Sequence, residues 1–381
     1  MCAAFVLLIH FMASAQTDSE RYEQRYDMLV SRLGAAGIGV ETVLDNWAKV
    51  DSTNAKMLFG RFSYYFTKAQ TSEVVSKPNK RYLGMEPLIT LKDSLGNDVY
   101  YYQHNVFDDE LYGRAIKEAD KAISLHPDRL DFRFMKANAY IAYEKESPDM
   151  ALAYLFSLID EDGKGKKVWL YGEEPAEPGF FEESMQEYCY SFYSIGSETS
   201  REAFRRISEK LLGIYPANPE FACNIGSYYL VNHEYKTALK HYDKVLKKYP
   251  DDYTSIKNSA LAARRMGNAK MEKKYLQMLV EHGTEADKLQ AQARLEVLCR
   301  EDGCIFVHRQ KTPLQGEDRD DMRRGQFPHH DNSRIGVIRI PSRDPQRNFI
   351  GGRRCAAYAA GHELHGGRDS GGNFTFISFA Y

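Results

Sequence analysis

The sequence predicts an all-α protein, a solenoid of stacked helix–turn–helix units, on three observations. The stretch NIGSYYLVNHEYKTALKHYDKVLKKYP, residues 224–250, carries two amphipathic helical patterns joined by a short polar turn and closed by a proline. Its pattern of small, aromatic and apolar residues recurs when Pro216 is laid on Pro250 and Asn224 on Asn258. Further helical patterns of the same spacing run back almost to the N-terminus. A single hairpin cannot cover its own apolar face, so such units must stack.

The opening residues, MCAAFVLLIHFMASAQTDSE, hold an apolar run followed by Ala13-Ser14-Ala15. Small residues at this spacing form a signal-peptidase site, with cleavage expected after Ala15. The run is too short to span a bilayer. No Lys or Arg precedes it, and Cys2 stands on the wrong side of it for a lipoprotein cysteine. The expected address is outside the cytoplasm, in the bacterial periplasm. The charge balance, 51 Lys+Arg against 53 Asp+Glu, argues against a general nucleic-acid binder. The 26 tyrosines suit thin helical layers, where a ring is buried and its hydroxyl stays wet.

After the leader, VETVLDNWAKV supplies a second helix with Leu44 and Trp47, and a following first helix carries Leu58, Gly60 and Tyr64. An insertion over residues 68–107 follows. In it Ile89-Thr90-Leu91 and Val99-Tyr100-Tyr101 flank a Gly-Asn turn, the pattern of a small β-hairpin. RAIKEADKAISLHPD then gives Ala115, Ala119, Ala122 and Pro127 with second-helix spacing. FRFMKANAYIAY, with Ala137 and Tyr140, is answered by DMALAYLFSLID. Residues 161–179, EDGKGKKVWLYGEEPAEPG, read as a second insertion, a charged loop with a short apolar centre. FFEESMQEYCYSFYS and SREAFRRISEKLLGIYP form the next pair. In all, about six helical pairs are expected between Asp18 and His282, with a closing helix near Ala286–Leu298 and one repeat domain over 18–300.

Within the clearest unit, Ala222, Ile225 and Tyr229 follow the spacing of one helix face. Gly226 lies beside them, where a small residue lets a neighbour approach. Ala238, Tyr242 and Val245 form the facing stripe, and Pro250 ends the second helix because its ring removes a donor and fixes φ. Small residue, aromatic, Ala, aromatic, small apolar and Pro at this spacing resemble a tetratricopeptide repeat. The matching residues are Gly226, Tyr229, Ala238, Tyr242, Val245 and Pro250, with Ala222 where a tryptophan often stands. In the following unit Glu272 replaces the second-helix alanine and no proline closes the unit. The resemblance covers about residues 20–300 and implies a right-handed superhelix.

The resemblance also implies a function: a non-catalytic scaffold that holds a partner peptide or helix in the groove lined by first helices. Asn224 and Asn258, one repeat apart, are the expected backbone-holding amides, since an amide both donates and accepts. Lys257, Arg264 and Arg265 would add a positive patch for an acidic partner. An envelope assembly or stalk factor without a defined peptide site is the alternative. A carbohydrate hydrolase using Glu173, Glu174 or Glu177 beside Trp169 and Tyr171 is a third reading. No cofactor and no metal site is expected.

Five cysteines follow the leader. Cys299 and Cys304 are close enough for a local disulfide, while Cys189 and Cys223 fall on apolar helix positions. The composition changes after about Cys304. Residues 309–381 hold 11 Arg and 1 Lys, against 15 Arg and 24 Lys before them. Residues 305–381 are read as a disordered extension or as an aberrant, frame-shifted tail. GRDSGG around Ser370 has the residues of a trypsin-like nucleophile, but the upstream chain is helical repeat and not the double barrel that would place a triad. His362 and His365 are three apart, where the helical zinc motif needs four.

Overall fold

The computed structural model describes residues 17–301. The leader, Cys304, Cys355, Ser370 and the remainder of 302–381 lie outside the described residues. Thirteen α-helices hold 67% of the described residues, with small β elements beside them. The chain divides into two compact units, residues 17–215 and 216–301.

In the first unit the helices are α1 (Asp18–Leu33), α2 (Val40–Val50), α3 (Ala55–Ala69), α4 (Asp109–Leu125), α5 (Leu130–Glu144), α6 (Asp149–Asp162), α7 (Phe180–Ile195) and α8 (Glu198–Ile214). Polar caps start several of them. Thr17 and Glu20 form a reciprocal capping box at α1, and Asn54, Asp108 and Ser197 accept backbone N–H groups at α3, α4 and α8. The core of α1–α5 is continuous, with Trp47, Met57, Leu58, Phe62 and Phe132 essentially inaccessible. Gly60 fits this core because a Cβ there would come 2.9 Å from Leu44 and 3.0 Å from Tyr26. The expected alanine stripe of α4, Ala115, Ala119 and Ala122, is fully buried.

The first insertion lies between α3 and α4. The expected hairpin is present: β2 (Ile89–Lys92) pairs antiparallel with β3 (Asp98–Phe107), with Ile89 opposite Tyr101 and Leu91 opposite Val99. Its turn is held by Asp93, whose carboxylate accepts from the Leu95 and Asn97 N–H groups. A further strand, β1 (Gln70–Lys77), runs straight out of α3 and pairs with the other side of β3, giving the order β1-β3-β2. The insertion closes at its root where the Asp108 N–H donates to the Ala69 carbonyl at 2.8 Å. Phe107 carries the sheet into the helical core, packing on Phe66, Tyr112 and Tyr143.

The second insertion is more ordered than a charged loop. Its two-residue strands β4 (Leu170–Tyr171) and β5 (Glu174–Pro175) pair, and the Leu170 N–H donates to the Asp128 carbonyl. Trp169 is buried, stacks on Phe181 and donates its indole N–H to Asp162 at 2.7 Å. This aromatic anchor with a satisfied donor seats the segment together with the backbone bond to Asp128 and the ion pairs of Lys167 with Asp128 and Glu161.

The second unit comprises α9 (Pro219–Val231), α10 (Tyr235–Lys248), α11 (Tyr253–Arg265), α12 (Ala269–His282) and α13 (Glu285–Glu301). The interval from α9 to α11 is the same at their first and last residues, and α10 and α12 are displaced by that same interval at both ends. The correspondence extends to detail. Asn218 caps α9 and Asp252 caps α11. His233 and Gly267 both take positive φ, 64° and 67°. The Glu234 N–H donates to the Tyr229 carbonyl as the Asn268 N–H does to Ala263. Each helix packs on the next, and α9 also packs on α11. Ala238, Tyr242, Ile256, Ala262, Ala263 and Tyr275 form the inaccessible centre of this unit.

Candidate interaction site

The sequence places the site on α9 and α11, and both asparagines stand there. Asn224 and Asn258 are buried, at 6% and 7% exposure. The Asn258 amide donates to Ser227 Oγ at 3.3 Å, and that hydroxyl lies 3.1 Å from the Tyr242 hydroxyl. One donor of Asn258 therefore ties α11 to α9 and α10.

Of the three cations grouped with them, Lys257 is committed internally. Its ammonium donates to Asp287 at 2.8 Å and to the Tyr253 hydroxyl at 3.0 Å. Asp287, on α13, also accepts from Tyr253 at 2.5 Å and from Thr284. Burial alone would raise this carboxyl. The hydrogen bonds from Lys257, Thr284 and Tyr253 outweigh burial and hold it at about 2. Burial pushes the Lys257 ammonium down, and the hydrogen bonds to Asp287 and Tyr253 together with their charge interactions more than offset it, so its pKa rises. The positive charge expected of the patch is thus neutralised at Lys257. Arg264 and Arg265 are exposed. Arg264 lies 4.0 Å from Glu272.

Glu272, the residue in place of the second-helix alanine, is 3% exposed and accepts from Arg294 Nε at 2.8 Å and Nη2 at 3.3 Å. Nothing in the local pattern names Arg294 as its partner. The planar guanidinium matches a carboxylate in a fork, which is how a charge enters a position that otherwise takes a methyl group.

Ala238, Tyr242 and Val245 are buried, Gly226 lies under the Tyr242 ring, and Tyr229 stacks on His241 at 5.2 Å. Pro250 is exposed beyond the end of α10. Ala222 is corrected: it is only half-buried, and its neighbours Phe221 and Cys223 enter the core. Cys189 and Cys223 are buried thiols, as their apolar positions imply. Cys299 is half-buried, and its expected partner Cys304 lies outside the described residues.

The carboxylates weighed for carbohydrate chemistry, Glu173, Glu174 and Glu177, are exposed. Glu173 borders an open depression of about 450 Å³ together with His126, Asp128, Arg129 and Leu170. Arg129 there is buried and paired in a fork with Asp131, at 2.8 and 2.7 Å. Among the described residues no group of three or more His, Cys, Asp or Glu side chains is placed to hold a metal ion. Among the described residues no helix is long and apolar enough to cross a membrane. No family model and no curated protein matches the chain.

Proposed function

We propose that the chain is a non-catalytic protein–protein interaction scaffold of the bacterial cell envelope, a right-handed α-solenoid whose helix pairs are tetratricopeptide-like repeats. One observation carries this reading. The pairs α9–α10 and α11–α12 repeat at one fixed interval in their bounds, caps, turn dihedrals and turn hydrogen bonds. Two antiparallel helices recurring every ~34 residues make the tetratricopeptide unit. First helices of such units line a groove, and Asn224 and Asn258 occupy equivalent places on α9 and α11. The partner is a peptide or helix, recognised through these amides together with Arg264 and Arg265, about two turns further along α11. Because Lys257 is neutralised by Asp287, the arginines supply the patch's net positive charge.

The test is affinity capture from an envelope extract with the cleaved protein as bait. Asn224→Ala combined with Asn258→Ala is expected to abolish capture while far-ultraviolet circular dichroism stays that of the parent. Capture that persists in the folded double variant would remove the asparagine site from the account.

A further inference from the structure

We propose that β1 is a dimerisation edge, through which two copies of the chain join their three-stranded sheets into one continuous antiparallel sheet about a twofold axis.

Strand β1 is an outer strand of the order β1-β3-β2, and it is long for an edge. Residues 71–74 and Ser76 are exposed, with Val74 at 65%. Among the described residues, no strand pairs with its outer side. An uncovered edge of this length is a template for a further strand unless charge or proline blocks it.

The backbone register fixes which groups point outward. The Asp108 N–H to Ala69 bond belongs to the β1–β3 register, so residues 69, 71, 73, 75 and 77 exchange bonds with β3. Ser72, Val74 and Ser76 therefore direct their N–H and C=O groups away from the sheet. A second β1 can bond only through the same residues. That allows twofold registers centred on residue 73, 74, 75, 76 or 77, and the side chains choose among them. Centring on Glu73 sets Glu73 against its own copy, and centring on Lys77 does the same for lysine. Centring on 74 or 76 sets each charge opposite an uncharged residue. Centring on Val75 places Glu73 opposite Lys77 of the second copy, twice by symmetry, with Val75 against Val75 between them. Val74 then exchanges backbone bonds with Ser76, and Ser72 faces Pro78, whose missing N–H ends the ladder. The Glu73 and Lys77 pairs fall at non-hydrogen-bonded positions, where side chains approach most closely.

Both charged residues lie on one face of the sheet, with His104, Tyr102 and Tyr100 opposite Glu73, Val75 and Lys77 on β3. A twofold axis normal to the sheet keeps that face continuous between copies. Lys77 now rests over the Tyr82 ring at 4.5 Å, a contact that leaves its charge available.

Sedimentation velocity on the full chain across a concentration series tests the proposal. The parent should show a concentration-dependent monomer–dimer equilibrium. Glu73→Lys and Lys77→Glu, each alone, should weaken it by about tenfold or more, since each sets like charges opposite one another twice. An equimolar mixture of the two variants should recover dimers as heterodimers, and Glu73→Lys/Lys77→Glu in one chain should dimerise like the parent. Ser76→Pro removes an outward N–H without touching the bonds to β3 and should also abolish the dimer. All these positions are at the sheet's edge, and unchanged circular dichroism verifies folding. A parent that stays monomeric at concentrations on the order of 100 μM, single reversals that leave the dimer intact, or a mixture that stays monomeric would each overturn the proposal.

Discussion

The ring of Tyr242 occupies the space that a side chain at residue 226 would need. A Cβ built on Gly226 stands 2.6 Å from Tyr242 Cε1 and 2.8 Å from Cδ1. Glycine is thus required by the distance between α9 and α10. Gly226→Ala is expected to force the two helices apart and to lower stability by about 1–3 kcal/mol, the usual cost of overpacking. Urea denaturation followed by circular dichroism measures it, and a change within error of zero would mean that the Tyr242 ring moves freely.

The turns of the pairs α9–α10 and α11–α12 differ in one informative residue. Gly267 takes φ 67° with no atom within 4 Å of where a Cβ would stand, while His233 takes φ 64° at the equivalent place. Left-handed backbone costs a non-glycine residue roughly 1 kcal/mol. Gly267→Ala should therefore destabilise by about that amount. His233→Gly should change stability in the opposite direction, less whatever the 2.9 Å contact between His233 and the Tyr235 hydroxyl contributes. Melting temperatures that move the same way in both variants would contradict this.

The network at Asp287 makes stability depend on acid. Its carboxyl is held at about 2, well below the usual carboxylate range, by its bonds from Lys257, Thr284 and Tyr253. A depressed folded pKa gives stability that is complete above the unfolded value and is lost as pH falls through the folded one. The expected contribution is roughly 1–2 kcal/mol at neutral pH once solvent screening is allowed for, disappearing between about pH 4 and pH 2. Asp287→Asn should flatten that limb of the stability profile. Lys257, with its pKa raised, keeps its half of the pair until the pH rises past the ordinary lysine range.

Glu272 and Arg294 should behave as a unit. Arg294→Met leaves a carboxylate buried without its fork and is expected to cost about 3–5 kcal/mol. Glu272→Ala restores the alanine of the preceding unit, as at Ala238. Glu272→Ala with Arg294→Met should therefore recover most of the loss, the double variant costing much less than the sum of the two singles in a double-mutant cycle.

These pairs also mark where sequence reading stops. The repeating beat is legible because it is carried by local patterns: small Gly226 and Ala260, buried Ala238, and turns of fixed length. The β2–β3 hairpin is legible through its Gly-Asn turn. Strand β1 is not, because it follows α3 without a turn signal and its partner residues are met only after the rest of the insertion. For the same reason the pattern shows Glu272 as a defect and Lys257 as a free cation, since Arg294 and Asp287 come from a helix that periodicity does not connect to them. Trp169 reads as part of a charged loop because its anchoring partner, Asp162, belongs to the preceding helix. Ala222 is half-buried while Phe221 and Cys223 on either side of it are buried along with Ile225 and Gly226, so α9 is covered on more than one face, which i, i+3 spacing does not resolve.

The central claim is that consecutive helix pairs of the second unit hold one another in place. Amide hydrogen exchange of Tyr242→Ala measures this directly. The ring removed is fully buried in one core that includes Cys223 and Ala238 of the first pair and Ile256 and Ala260 of the second. The expected result is faster exchange throughout α9, α10 and α11 together, with the total stability lower by roughly 3–5 kcal/mol. Faster exchange confined to the turns around residue 242, with α9 and α11 protected as in the parent, would contradict it.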